Sequence, residues 1–107
     1  MRILFDQGTP APLRRHLPGH IVSTAYEMGW SELANGELLA AAERDGFELF
    51  VTTDQNLGYQ QNLAGRQLAI LVLPTTSWPT IERHVGEVAA AVDAMTAGSF
   101  QVVSFSP

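Results

Sequence analysis

Three acids, Asp6, Glu37 and Asp54, are the residues whose type and surroundings best suit chemistry. Each has an amide close by, with Gln7 after Asp6, Asn35 just before Glu37 and Asn56 just after Asp54. Thr52 and Thr53 add hydroxyls beside the third. Carboxylates mixed with neutral oxygens are what hard divalent cations take, and Mg²⁺ commonly uses only one or two carboxylates plus water and phosphate. An ion held this way activates water and offsets the charge that develops when a phosphodiester is cut.

Each acid also has a plain structural reading. Asp6 could close a strand as an Asx turn. Thr9 already offers a cap for the next helix, however, which frees Asp6 for a ligand. Glu37, near a helix start, would be stabilising by about 0.3–1 kcal/mol through the helix dipole alone. Asp54 could cap a short helix over residues 55–62. Glu37 therefore draws its functional weight from the other two.

The elements that would position these acids alternate strand and helix. The apolar run over residues 2–5 predicts a first strand ending at Asp6. Thr9 followed by Pro10 predicts a helix over residues 10–17, stopped by Pro18 and Gly19. Residues 20–24 read as a second strand, and residues 25–34 as a looser stretch with some helix. Asn35 reads as the N-cap of a helix over residues 36–44, closed by Gly46 in the left-handed region. Residues 49–53 form a third strand, apolar and β-branched as if covered on both faces. Residues 68–73 form a fourth and residues 100–105 a fifth, edge-like strand. Between these two, one long helix opens at Pro79 or Thr80, with Ile81, Val85, Val88, Val92 and Met95 as its apolar stripe.

This alternation predicts a three-layer α/β/α sandwich whose mostly parallel sheet has four or five strands joined by right-handed crossovers. The first, third and fourth strands are expected at its centre. Ligands in such folds collect at the carboxyl ends of the strands. Asp6 and Asp54 directly follow strands, and Glu37 reaches the same edge if its helix begins there. The three acids are thus expected to converge.

Composition narrows the partners. The 107 residues fit one domain, residues 1–107, with no linker or repeat. There is no cysteine, hence no disulfide or thiolate ligand. An acid at position 6 interrupts any signal-peptide apolar region, and no run approaches the ~20 apolar residues of a membrane helix. A soluble, cytoplasmic protein is expected. Eleven acids against six arginines and no lysine give a net charge of −5. Strong, sequence-independent binding to a phosphate backbone is therefore not expected. Arg14, Arg15, Arg66 and Arg83 are the cations able to contact phosphate, and Arg14 with Arg15 forms either a solvated face or one wall of a substrate groove. His16, His20 and His84 lack ligand spacing and read as surface or packing residues, Trp30 and Trp78 as half-buried anchors. The polar segment over residues 59–62 fits a pocket lining or a solvated helix face equally.

Three spaced motifs carry a resemblance. Arg2-Ile3-Leu4-Phe5-Asp6-Gln7, Asn35-Gly36-Glu37-Leu38-Leu39 with Ala41, and Leu49 to Asn56 resemble, in that order, a family of small PIN-like proteins over roughly residues 1–75. The resemblance implies an α/β sandwich and a metal-dependent ribonuclease, in many cases the toxin of a bacterial toxin–antitoxin pair. Asp6, Glu37 and Asp54 then take the places of catalytic, metal-binding acids for Mg²⁺ or Mn²⁺. Gln7, Asn35 and Asn56 stand where the wider family usually has acids, and with Arg14 and Arg15 they would orient water or substrate. Three amides in place of three carboxylates weaken the hold on the ion. The alternative is a catalytically degenerate PIN-like module that binds a protein partner. RNA as substrate, an antitoxin protein and a homodimer are the expected partners, with no membrane contact, and Trp30, Trp78 and Tyr59 are candidate partner contacts. A phosphoacceptor receiver or a haloacid-dehalogenase-type phosphatase would need a lysine, which the chain lacks.

Overall fold

The structure, a computed structural model, describes residues 1–60 and 65–106. Five strands form one sheet: β1 (Arg2–Phe5), β2 (Ile21–Thr24), β3 (Leu49–Thr52), β4 (Ala69–Val72) and β5 (Phe100–Val102). Their order is β2-β1-β3-β4-β5, and every neighbouring pair is parallel. The expected centre of β1, β3 and β4 is therefore found. All residues of β3 and β4 are buried, which explains why both read as unbroken apolar runs.

Alternation along the strands divides the core into two layers. Ile3, Phe5, Leu49, Val51 and Leu71 face Leu13, Ile81, Val88 and Val92. Leu4, Phe50, Ile70 and Val72 face Leu38, Leu39, Ala42 and Leu57. The second layer belongs to α1 (Asn35–Arg44) and α2 (Leu57–Gln60), the first to α3 (Trp78–Glu82), α4 (Val85–Ala94) and the segment Ala11–His16. Helical layers thus cover both faces of the sheet.

Several expected elements differ. Ala11–His16 is a 3₁₀ turn rather than an α-helix, and its N-cap is Pro10, with no side-chain cap bond. Residues 25–34 form turns without helix. Asn35 is the first helical residue of α1 and not its cap, which is Ala34. Part of the expected helix over 55–62 appears as α2, and residues 61 and 62 lie outside the described set. The long C-terminal helix is two helices, broken at Arg83 and His84, with Ser77 capping the first through the Thr80 N–H. The apolar stripe survives the break, because Ile81, Val88 and Val92 still share one core layer. The last strand ends at Val102, with its three residues exposed, as an edge permits.

The crossovers do not all share one hand. The link from β1 to β2 runs over the Leu13 face, and those from β2 to β3 and β3 to β4 run over the Leu38–Leu57 face in the opposite direction. One hand serves these three. The β4-to-β5 link moves the same way as the last two yet packs on the Leu13 face through α3 and α4, so its hand is reversed. The expectation of uniform handedness fails at this short edge strand.

Candidate functional site

The chain goes from β1 outward to β2 and then returns past β1 to β3, so the sheet order reverses between β1 and β3. The carboxyl ends of strands beside such a reversal leave a crevice between diverging loops. Asp6 follows β1, and Asp54 lies two residues after β3. Both acids therefore flank the reversal.

Asp6 is held from three directions. Its Oδ1 accepts the Thr9 N–H at 3.0 Å and the Thr9 hydroxyl at 2.7 Å, and its Oδ2 accepts the Thr52 hydroxyl. Thr9, expected to cap a helix, instead turns its hydroxyl toward Asp6 and the Val51 carbonyl, at 3.0 Å from the latter. A carboxylate offers about four lone-pair sites, so three accepted bonds leave room for one more ligand. Asp6 thus has both a structural task and a free acceptor direction.

Asp54 is held by amides. The Asn35 Nδ2 donates to its Oδ2 at 2.8 Å, and the Asn56 N–H donates to its Oδ1 at 2.9 Å. The Asn56 contact is an Asx turn, and α2 starts directly after it, with the Leu57 N–H on the Asp54 carbonyl. Thr52 links the two acids, since its hydroxyl donates to Asp6 and accepts the Asp54 N–H at 3.0 Å. Thr52 is fully buried, and among the described residues it and Thr9 are the buried polar ones. The oxygens around Asp54 were legible in the sequence, but the bridging role of Thr52 was not.

Glu37 goes elsewhere. Its Oε1 accepts the Ala34 N–H at 3.1 Å, closing the first turn of its own helix. Among the described residues no three His, Cys, Asp or Glu side chains gather as a metal-holding group. The structure thus joins Asp6 and Asp54 through Thr52 and places the Glu37 carboxylate on its helix N-terminus. Gln7 donates to the Ser31 carbonyl at 3.2 Å. Asp6, Gln7 and Asn35 line one pocket of about 190 Å³, with Trp30 at its side. On the other side Asp6 and Gln7 line a larger cavity of about 490 Å³, together with Arg14 and Tyr26. Arg14 is at the candidate site; Arg15 is not among the residues lining either cavity.

The loop after β1 passes close to β3. A Cβ added at Gly8 would lie 2.4 Å from the Thr53 Oγ1. Threonine is stiff at χ1, so the hydroxyl cannot swing away freely. Gly8→Ala is expected to destabilise the fold by about 1–2 kcal/mol, as overpacking does. Gly8→Ala combined with Thr53→Ala should recover most of that loss in a denaturant double-mutant cycle; equal cost in both backgrounds would contradict the contact.

Two glutamates, Glu27 exposed and Glu87 half-buried, have carboxyls held low. The Arg14 guanidinium donates to both Glu27 oxygens at 3.1 and 2.9 Å, and the Thr24 N–H adds a bond at 2.9 Å. Arg14 first and Thr24 second hold the Glu27 carboxyl below the ordinary range. His84 first, then the Ser106 N–H, do the same for Glu87. A carboxyl depressed in the folded state adds stability that is complete above the unfolded carboxyl range. That stability is lost as pH falls through the folded value. A carboxyl-carbon NMR titration should place the Glu27 midpoint below that of a free glutamate and move it up in Arg14→Gln; an unmoved midpoint would exclude the Arg14 cause.

The remaining aromatics and histidines are mostly structural. Trp30 meets Phe47 edge-on and Trp78 lies against His16, each partly buried against a core layer. His20 bridges the Met1 amine and Asp93, and His84 stacks on Phe105. The Tyr59 side chain lies outside the described set. Among the described residues the exposed large apolar ones are instead Ile21, Tyr26, Phe100 and Val102. Among the described residues no helix is long and apolar enough to cross a membrane. Compared with known proteins, the chain matches no family model, and neither a curated protein nor a solved structure is similar to it.

Proposed function

We propose that the chain is a divalent-metal-dependent ribonuclease of PIN-like type, with its reaction centre at Asp6 and Asp54. The observation that carries this reading is the pair of acids flanking the sheet reversal, with the buried Thr52 hydroxyl set between the Asp6 carboxylate and the Asp54 backbone N–H. The donor set fits Mg²⁺ or Mn²⁺ in kind, since it consists of hard carboxylate and amide oxygens, and two carboxylates suffice for a largely hydrated ion. Hydrogen bonds that aim a carboxylate from behind are the usual support of a metal ligand. Thr9 and Thr52 would do this for Asp6, and Asn35 and the Asn56 N–H for Asp54.

A divalent ion, when bound, supplies Lewis acidity and makes water nucleophilic near neutral pH. Asp6 and Asp54 would hold it and fix where the scissile phosphate lies. Hydrolysis then joins a water oxygen to phosphorus and breaks one P–O ester bond, and the water's proton ends on the departing oxygen. Gln7 and Asn35, lining the adjacent pocket, would orient the phosphate and water. A service as the toxin of a toxin–antitoxin pair belongs to the same reading.

A second reading, a catalytically degenerate module that binds a protein partner, is favoured by the use of Glu37 as a helix cap. The exposed Phe100 and Val102 on the edge strand favour it too.

Thermal shift separates the two. For an ion with a dissociation constant of about 1 mM, 10 mM Mn²⁺ stabilises the folded state by about 1.4 kcal/mol. At about 4 °C per kcal/mol for a domain of this size, the midpoint should rise by about 6 °C in wild type and stay put in Asp6→Asn. An equal shift in both proteins would remove Asp6 from the ion's site.

A further inference from the structure

We propose that the cavity of about 490 Å³ beside Asp6 is a nucleobase subsite, with Tyr26 as its stacking face and Arg14 as its contact to the adjoining phosphate. The proposal rests on the reading of the Asp6–Asp54 edge as a phosphodiester site and names how the substrate strand lies on it. Asp6 and Gln7 line this cavity and also the 190 Å³ pocket beside Trp30 and Asn35, so they form the divide between two concavities. A strand with its phosphate at that divide must send the neighbouring nucleoside to one side. Only the larger cavity falls within the roughly 300–1,000 Å³ of small-molecule sites.

Tyr26 is 78% exposed, the most exposed of the large apolar residues among those described. Its ring is carried on a well-tied turn. The Gly29 N–H donates to the Tyr26 carbonyl at 3.0 Å, the Met28 N–H to the Thr24 carbonyl at 3.1 Å, and the Trp30 N–H to the Ala25 carbonyl at 2.9 Å. A fixed backbone lowers the entropy lost when the ring is covered. Any base has a π-face, so such a ring accepts single-stranded nucleic acid without demanding a sequence.

Arg14 is the one cation among the residues lining this cavity. Glu27 takes two of its N–H groups. A guanidinium has five, so three remain for a phosphate. Glu27 thereby orients Arg14 and offsets its charge. With a net charge of −5 the chain as a whole offers a phosphate backbone little attraction. Stacking must then carry a large share of the binding, and salt should weaken it only slightly.

The test is fluorescence anisotropy with 5′-labelled hexauridylate, and with a hexamer abasic at its two central positions, in millimolar Ca²⁺. Tyr26→Ala should weaken hexauridylate binding about tenfold, while Tyr26→Phe stays within about twofold. The abasic hexamer should bind wild type as weakly as hexauridylate binds Tyr26→Ala. The subsite is overturned if Tyr26→Ala binds like wild type, if Tyr26→Phe loses as much as Tyr26→Ala, or if wild type binds neither oligomer. RNA cleavage by Asp6→Asn, measured in parallel, keeps the two ideas apart. Stacking loss in Tyr26→Ala with wild-type cleavage by Asp6→Asn retains the subsite and removes the hydrolytic reading. Asp6-dependent cleavage with wild-type binding by Tyr26→Ala removes the subsite alone.

Discussion

RNA cleavage in millimolar Mn²⁺ is expected to fall at least about 100-fold in Asp6→Asn and to vanish with EDTA, because removing a metal ligand removes the main electrostatic stabilisation of the transition state. The substitution is nearly isosteric, so its effect reads charge and donor identity rather than volume. It does disturb the site's hydrogen bonds. Oδ1 of Asp6 accepts two bonds from Thr9, and the other oxygen accepts the Thr52 hydroxyl. An asparagine can keep its carbonyl oxygen toward Thr9. Its NH₂ would then face the Thr52 hydroxyl, which would have to turn. The folded fraction must therefore be checked by circular dichroism at the assay temperature. Asp54→Asn should match the loss, since Asp54 flanks the same reversal. Gln7→Glu with Asn56→Asp adds two acids, and tighter Mn²⁺ binding is expected from it. Background cleavage by both wild type and Asp6→Asn, on structured and on single-stranded RNA, would transfer the case to the partner-binding module.

Much of this was legible in the chain because it depends on local rules. The apolar runs ending at Asp6 and near Asp54 fixed two strand ends, and parallel pairing placed both ends on one edge. Gly46 takes φ +85°, as a helix-closing glycine should. What escaped depends on contacts far apart in sequence. Thr9 followed by proline looks like a cap, yet its hydroxyl finds Asp6 and Val51 after folding, and no local pattern reveals that competition. Asn35 likewise looks like a cap, but its amide is spent on Asp54, nineteen residues away. Glu37 shows the opposite case. The ordinary local reading, a glutamate serving the start of its own helix, describes its bond to Ala34. The break at Arg83 and His84 was hidden because the apolar stripe continues across it. Tyr26 carries no signal in the sequence, because one aromatic in a loop has no periodic partner and its exposure is set only once the sheet is assembled.

Thr52→Val tests the link between the two acids more directly than any change at the acids themselves. Valine keeps the β-branched shape and nearly the volume of threonine at a fully buried position, so the core layer around it should not collapse. What is lost is one hydroxyl with two partners. The Asp54 N–H loses its acceptor, and an Asp6 oxygen loses a donor. Each orphaned group costs about 1–3 kcal/mol, and together about 2–4 kcal/mol is expected. At about 4 °C per kcal/mol this lowers the thermal midpoint by roughly 8–16 °C. Thr52→Ser retains the hydroxyl and sacrifices one methyl, for about 1 kcal/mol. The serine variant should therefore keep most of the stability and nearly all of the Mn²⁺-induced shift, whereas the valine variant should lose much of both. A valine variant as stable as the serine one would mean that Asp6 and Asp54 are held independently. The two carboxylates would then be neighbours along the sheet edge, and their joint hold on one ion would lose its physical basis.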